Sequence, residues 1–203
     1  MSVQVRVLSG AALDAALGDV ARLRIEVFRE FPYLYDGDAA YEAEYLSLYR
    51  EAPGAIVVAA MAEGQIVGAA TGLPLNAADA AFAGPVSAAG LDPARTFYCA
   101  ESVLLSPYRG RGIGHAFFDA REDRARDLGM TQAVFCAVER PEDHPARPAG
   151  YRSLEPFWRK RGYRPLAGAV AEFSWKDVGD DTESLHRLNF WWRALDQARP
   201  GYP

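Results

Sequence analysis

The run SPYRGRGIG, residues 106–114, holds the residue types and spacing best suited to chemistry. It follows an apolar, strand-like stretch, 102–105, and precedes apolar residues at helical spacing that end before Gly129. Glycines let successive backbone N–H groups converge on phosphate oxygens at the positive end of the following helix. Arg109 and Arg111 add positive charge. The run therefore predicts a loop that binds a phosphate-bearing ligand.

Three kinds of phosphate-binding loop contain such glycines, and spacing separates them. A Walker loop ends in Gly-Lys-Ser or Gly-Lys-Thr, whereas this run continues into His115 with no lysine nearby. A dinucleotide fingerprint that starts at Gly110 requires glycine where His115 stands. The spacing that fits is Arg-x-x-Gly-x-Gly, formed by Arg109, Gly112 and Gly114. A glycine-rich turn with no ligand is the alternative for the loop taken alone.

With this spacing the chain resembles the GNAT superfamily of acyl-CoA-dependent N-acyltransferases. Residues 157–163 resemble the family's second signature, a helix end with the pattern aromatic, x, Lys, x, Gly, aromatic. The resemblance covers the whole chain, most strongly 96–175. It implies one domain over residues 1–203, of α/β (α+β) class. The expected GNAT fold has a central mixed, mostly antiparallel sheet of six or seven strands flanked by about four helices.

The resemblance also implies acetyl-CoA as the co-substrate, bound where the loop meets the strand before it and the helix after it. The residues expected at the cofactor are Val103, Leu104, Leu105, Arg109, Gly110, Arg111, Gly112, Ile113, Gly114, His115, Trp158 and Lys160. Backbone N–H groups near Leu104 are expected to stabilise the thioester oxygen as it gains charge. No metal is predicted, because His144 stands among acids and prolines without any ligand spacing.

Acyl transfer to an amine requires a base, because an alkyl ammonium group with a pKa of about 10.4 is almost fully protonated at neutral pH. Glu101, in an apolar strand beside the loop, is the candidate base, and a carboxylate held by a neighbouring arginine is the equal alternative. Many superfamily members protonate the departing thiolate with a tyrosine, but this chain has Trp158 at that position. Tyr151 and Tyr163 are the nearby substitutes, and Tyr151 is the candidate acid.

Two segments are expected to shape the acceptor site. The resemblance assigns it to the connection between the first two helices, which carries Phe31, Tyr33 and Tyr35, although core packing is the alternative. A long polar loop, 139–152, supplies Glu139 and Arg147 as further candidates. Its arginines would suit a substrate carboxylate, hence an amino acid or similar small amine, but solvated surface arginines are the alternative.

Periodicity and turn residues predict the elements that must position these residues. Predicted strands cover 3–8, 55–62, 65–73, 96–105, 131–138, 169–175 and 187–194, with a Glu-Gly turn joining the second and third. Predicted helices follow residues 9–10, include 41–49, and cover 112–128 and 153–161. The segment 187–194 also fits a helix, and 74–93 is predicted as a loop with one short helix.

Composition narrows the class of protein. A chain of 203 residues, half of them apolar, can bury one full core, and its net charge of −5 argues against a nucleic-acid partner. Cys99 and Cys136 lie in apolar stretches and are expected to be buried reduced thiols, which suits the cytoplasm. Without a signal core or an apolar run of about 18 residues, we expect a soluble protein with no membrane partner, as a monomer or homodimer.

Together these features predict an N-acetyltransferase that transfers the acetyl group of acetyl-CoA to a primary amine of a small molecule, by direct attack in a ternary complex. Two alternatives stay open. One is a sensor domain that binds acyl-CoA without turnover, which the displaced tyrosine favours. The other is a protein lysine or N-terminal acetyltransferase.

Overall fold

The computed structural model describes residues 2–195, which form an eight-stranded sheet with helices on both faces. The strands are β1 (Gln4–Leu8), β2 (Ile56–Ala62), β3 (Gln65–Pro74), β4 (Thr96–Tyr98), β5 (Ser102–Leu104), β6 (Gln132–Val138), β7 (Arg164–Lys176) and β8 (Glu183–Ala194). The α-helices are α1 (Gly10–Phe28), α2 (Ala39–Glu51), α3 (Ala80–Ala88), α4 (Ile113–Asp127) and α5 (Glu155–Lys160). The predicted mixed α/β class is confirmed, with one strand and one helix more than expected.

The strands follow the order β1-β2-β3-β4-β6-β8-β7, and β5 pairs with β3 beside β4. Neighbouring strands run antiparallel except β4 and β6, which are parallel. The segment 187–194, which also fitted a helix, lies within β8. Among the helices of residues 2–195, none is long and apolar enough to cross a membrane.

Two hydrophobic layers lie on opposite faces of the sheet. In β2, Val57 packs with Leu23 and Leu46 of the α1–α2 side, whereas the next residue, Val58, packs with Phe117 of α4. Successive strand residues point to opposite faces, so a strand covered on both sides is apolar throughout. This explains the almost continuous apolar runs of β2 and β3, which are buried on both faces.

Two helices on the α1–α2 side of the sheet, α2 and α3, begin at aspartate N-caps. The Asp38 carboxylate accepts hydrogen bonds from the N–H groups of Ala40 (3.0 Å) and Tyr41 (2.9 Å), and Asp79 accepts one from Ala81 (2.8 Å). Such caps satisfy backbone donors that the first helical turn leaves without partners. They define where α2 and α3 begin, and both helices contribute residues to the same cavity.

The sheet contains a β-bulge at Ala100 and Glu101, where two residues oppose Thr71 of β3. Ala100 N–H donates to Thr71 O (3.1 Å), and Thr71 N–H donates to Glu101 O (3.1 Å). Before the bulge, Cys99 N–H donates to Val134 O of β6 (2.8 Å). After it, β5 follows β3 and, within residues 2–195, does not pair with β6. The prediction of one strand over 96–105 is therefore wrong, because the extra residue divides it and opens the sheet.

Arg121 of α4 holds this bulge from the second face of the sheet. Its side chain is 1 % exposed and donates to Thr71 O (3.2 Å), Glu101 O (3.0 Å) and Ser102 Oγ (2.9 Å). Buried carbonyl groups at a disrupted ladder need such partners. The helix that follows the glycine-rich loop is thereby tied to the strand that carries Glu101.

Close packing against β3 predicts the effect of adding one methyl group. A Cβ atom at Gly72 would lie 2.6 Å from Phe97 Cε1 and 3.0 Å from Tyr98 O. We expect Gly72→Ala to lower the free energy of unfolding by about 1–3 kcal/mol, because the ring and the carbonyl must both move. Gly18→Ala, on the exposed side of α1 with no atom within 4 Å of the new methyl, should instead raise it by up to about 1 kcal/mol. Urea unfolding measures both, and a Gly72→Ala protein as stable as the wild type would contradict this packing.

Candidate functional site

The glycine-rich loop lies between β5 and α4 in a conformation that favours glycine. Gly110 and Gly112 have φ values of +75° and +82°, and no heavy atom lies within 4 Å of the position of a Cβ at either residue. Gly112 caps the N-terminus of α4. In the described chain, the N–H groups of residues 111–114 donate to no backbone carbonyl. Their position at the positive end of a helix suits an anion.

The backbone of β5 presents donors to the opening in the sheet. Leu105 N–H donates to Val67 O (3.0 Å), and Glu101 O accepts from Thr71, so the odd-numbered residues of β5 face β3. Because backbone groups alternate along a strand, the N–H group of Leu104 faces the opposite side. This is the geometry expected of a donor to a thioester oxygen. Val103 points its side chain into the α1 layer instead.

Of the three cationic side chains predicted at the cofactor, Arg109 is held in an ion pair within the protein. Arg109 pairs with both carboxylate oxygens of Glu30 (2.7 and 3.1 Å), and its Nε donates to Leu104 O (2.9 Å). It therefore joins the loop to the segment after α1, and Glu30 offsets its charge. Arg111 is an exposed residue of the loop itself, and Lys160 lies at the end of α5.

Aromatic packing places the remaining predicted cofactor residues. Trp158, at the usual tyrosine position, packs against Phe135 and Trp191 with ring centroids 5.0 and 5.2 Å away. His115 lies against Phe157 with centroids 4.8 Å apart. Ile113 is buried in the same layer as these rings. Trp158, which was expected at the cofactor, is thus partly buried against the aromatic core, and its cofactor role stays a prediction.

A cavity of about 780 Å³ opens on the α1–α2–α3 face of the sheet, beside the bulge. Its volume lies in the range of small-molecule sites, which are concave and largely apolar. Aromatic side chains form much of its wall: Phe28, Tyr33, Tyr35, Tyr41, Tyr45, Tyr49, Phe82, Tyr98, Phe173 and Trp175. The predicted acceptor residues Tyr33 and Tyr35 are among them.

Glu101 lines this cavity and belongs to a buried charge cluster. Its side chain is 8 % exposed, and its Oε1 lies 2.6 Å from Arg24 Nη1. Arg24 Nε also donates to the fully buried Glu42. Two carboxylates thus share one guanidinium, so the cluster is negative overall when both are ionised. Glu101 thus has the arginine partner of one interpretation and also faces a cavity, while its role as the base stays a prediction.

The carboxylates Glu101 and Glu42 help to raise the pKa values of the groups around them. Burial alone would lower the pKa of Arg24, but Glu101 and Glu42 raise it well above its usual value. Tyr45 OH donates to Glu101 Oε2 (2.9 Å) and lies 3.0 Å from Tyr49 OH. Burial, together with the charge of Glu101, raises the pKa of both phenols. They are therefore hydrogen-bond donors at neutral pH rather than proton donors to a thiolate.

Four of the predicted catalytic and acceptor-binding residues lie outside the cavity wall. Phe31 packs edge-on against Tyr151 with centroids 4.7 Å apart, and the Arg147 guanidinium lies 5.3 Å from the Tyr151 ring centroid. Glu139 accepts a hydrogen bond from Asn189 (3.2 Å). The loop after β6 folds onto the segment after α1 rather than over the cavity. Phe31, Glu139, Arg147 and Tyr151 thus lie apart from the cavity wall, and their substrate and acid roles stay predictions.

Arg140, in the same loop, is also engaged by the protein itself. Its side chain donates to Pro32 O (2.9 Å), Tyr33 O (2.8 Å) and Asp177. These bonds fix the segment after α1 that carries Tyr33 into the cavity. Arg140 is thus a support for the cavity wall and not a holder of a substrate carboxylate.

The charged residues that organise the site were missed from the sequence, although a signal exists. Arg24 follows Val20 by one helical turn on the buried stripe of α1, and Glu42 lies one turn before Tyr45 on the aromatic stripe of α2. Arg121 likewise interrupts the apolar stripe of α4. A charge on an apolar stripe is costly to bury without a partner, so such residues identify buried ion pairs or sites.

The two cysteines are buried free thiols, as the sequence predicted. Burial raises the pKa of Cys136 to about 12 and also raises that of Cys99. Neither is a nucleophile at neutral pH, because the thiolate is the reactive form. Among residues 2–195, no group of three or more His, Cys, Asp or Glu side chains is placed to hold a metal ion.

Several solved structures share this fold. The structure of yncA, a candidate acetyltransferase from Salmonella typhimurium, was solved with its cofactor acetyl-CoA. It is 14% identical to this chain with a TM-score of 0.61, over 100% of this chain and 99% of that one. The ribosomal-protein-alanine N-acetyltransferase of Brucella melitensis is 16% identical with a TM-score of 0.59, over 94% and 99%. An aminoglycoside 6'-N-acetyltransferase complexed with coenzyme A is 16% identical with a TM-score of 0.56, over 99% and 100%. At these low identities, the structural similarity shows a common fold and nothing further.

The family follows from the sequence match. No curated protein sequence matches the chain. Residues 20–163, which are more than half of the chain, match the model of the acetyltransferase (GNAT) family, and this range contains the loop, the bulge and Glu101. The chain therefore belongs to the GNAT family of acetyltransferases.

Proposed function

We propose that this protein is an N-acetyltransferase that transfers the acetyl group of acetyl-CoA to a primary amine of a small molecule, by direct attack in a ternary complex. One observation carries the proposal. The bulge places Glu101 in an aromatic cavity. A few residues further on, Leu104 N–H faces the opening in the sheet, which leads to the glycine-rich loop of residues 106–114, called the anion loop below. A carboxylate that would serve as the base and a backbone N–H that would serve as the oxyanion donor thus lie three residues apart.

The loop fits the cofactor. The N–H groups of residues 111–114 would hold the diphosphate, and the open space beside Gly110 and Gly112 allows it to approach. When bound, acetyl-CoA supplies an acetyl group activated as a thioester. Leu104 N–H would donate to the carbonyl oxygen, where negative charge develops during attack.

Glu101 would bind the acceptor ammonium and take its proton. The shared guanidinium leaves the Arg24–Glu42–Glu101 cluster negative, which favours a cation at the cavity floor. Only the neutral amine has a lone pair that can attack the thioester carbon, so this proton must leave before the new bond forms. The nitrogen loses a second proton as the bond to carbon forms and the CoA thiolate departs, and that proton passes to solvent or to the thiolate. Tyr45 keeps Glu101 oriented through its hydrogen bond.

One observation favours a second candidate, a domain that binds acyl-CoA without turnover. Trp158, at the position where an acid is usual, is partly buried against the core, and Tyr151 packs on Phe31 away from the cavity. An indole N–H cannot release a proton at accessible pH. Release of CoA thiol in the presence of primary amines separates the two candidates, and acetylation of folded proteins alone would favour a protein substrate.

The anion loop can be tested with two variants of equal size at one position. Both Gly112→Asp and Gly112→Asn place a side chain at a positive φ that these residues tolerate, so both should have similar stability. We expect calorimetry to show CoA binding at least about tenfold weaker for Asp than for Asn, because the carboxylate repels the diphosphate. Equal affinities of the two variants would refute the loop assignment.

The role of Glu101 can be tested by Glu101→Gln, which keeps an acceptor for the Tyr45 hydroxyl. We expect kcat/KM for an amine to fall about 10²- to 10⁴-fold while acetyl-CoA affinity is unchanged. A thiol reagent can monitor CoA release, since Cys99 and Cys136 are buried. Glu51→Gln, an exposed change at the end of α2, is the matched control. Wild-type turnover by Glu101→Gln would exclude Glu101 as the base.

A further inference from the structure

The wall of the cavity carries a strong excess of negative charge. Seven carboxylates line it, against two cationic side chains, Arg24 and Lys176. The carboxylates are Asp36, Asp38, Glu44, Asp79, Glu101, Asp181 and Glu183. A cleft with charge of one sign and low-dielectric walls concentrates counter-ions and repels ions of the same sign. The cavity therefore favours cations and disfavours a ligand with a carboxylate.

These carboxylates stand at two levels. Glu101 is at the floor, nine-tenths buried, and its Oε1 receives no hydrogen bond of good geometry within the described chain, although Arg24 lies close. Glu44, Asp181 and Glu183 are exposed at the mouth and make no ion-pair contact with another residue of 2–195, although Asp181, after Asp36, contributes to the raised pKa of the nearby Lys176. The floor and the mouth thus each offer a negative group to a ligand.

Aromatic rings separate the two levels. Phe82 of α3 packs against Tyr98 and Phe173, with both centroid separations 4.7 Å. The Tyr45 ring already accepts one cation on its face, since Arg24 lies 4.3 Å from its centroid. Such walls suit methylene groups and also stabilise nearby ammonium groups through cation–π attraction.

From this arrangement we infer that the acceptor is a flexible diamine or polyamine, with one primary ammonium at Glu101, an aliphatic spacer along the rings, and a second ammonium at the mouth. The inference rests on the proposed function and specifies its substrate class. It replaces the expectation of an amino acid, because Arg140 is engaged within the protein and Arg147 lies outside the cavity.

A matched set of amines tests the second ammonium site. Diaminohexane, hexylamine and aminohexanoate share one primary amine and a chain of the same length, and differ in the distal group. We expect kcat/KM for diaminohexane to exceed that for hexylamine by about tenfold, with aminohexanoate slowest, because the mouth attracts cations and repels carboxylates. High salt should reduce this difference.

Charge-neutralising variants locate the effect. Asp181→Asn with Glu183→Gln should lower kcat/KM for diaminohexane several-fold more than kcat/KM for hexylamine, so that the ratio of the two approaches one. Asp180→Asn removes a charge from the same hairpin outside the cavity wall, and should change neither rate. Equal rates with diaminohexane and hexylamine, or a preference for aminohexanoate, would overturn this inference while leaving the proposed function intact. Acetyl-CoA binding without CoA release by any of the amines would overturn the proposed function itself.

Discussion

The arrangement of the site depends on one irregularity in the sheet, the insertion of an extra residue opposite Thr71. Without it, Glu101 would sit one position away in the pleat and its side chain would face the opposite layer. With it, Glu101 lines the cavity, and β5 leaves the direction of β6. Arg121 stabilises this state by donating to the carbonyl groups that the bulge displaces. Because Arg121 belongs to α4, which begins at the anion loop, its side chain connects the helix after the loop to the bulge.

A second constraint is the sharing of Arg24 between Glu42 and Glu101. Burying one ion pair is often close to neutral for stability, because desolvation offsets the attraction between the charges. A second carboxylate on the same guanidinium leaves the cluster with one more acidic than basic group. Burial first, and the charge of Glu101 second, raise the pKa of the adjacent phenols Tyr45 and Tyr49. The cluster thus supports the proposal that this site binds a cation.

The sequence predicted best what is determined locally. The anion loop follows from glycines at positive φ and from the helix beginning at Ile113, and both depend on neighbouring residues only. The bulge was missed because its strand is apolar on both sides of Glu101, so a one-residue shift leaves no trace in the hydrophobic pattern. The partners of Glu101 come from helices far away in the chain, and only packing brings Arg24 and Tyr45 to it. For the same reason Tyr151 could not be placed, since its position depends on how a long loop folds onto Phe31.

The central claim is that the bulge opens the sheet to admit the acyl donor between an anion loop and a buried carboxylate. A crystal structure of the protein with CoA tests it most directly. The account predicts a diphosphate that accepts hydrogen bonds from the N–H groups of residues 111–114, with the thiol end between β5 and β6 beside Leu104 N–H. A diphosphate bound elsewhere, or a β5 strand paired with β6 in place of the opening, would contradict it.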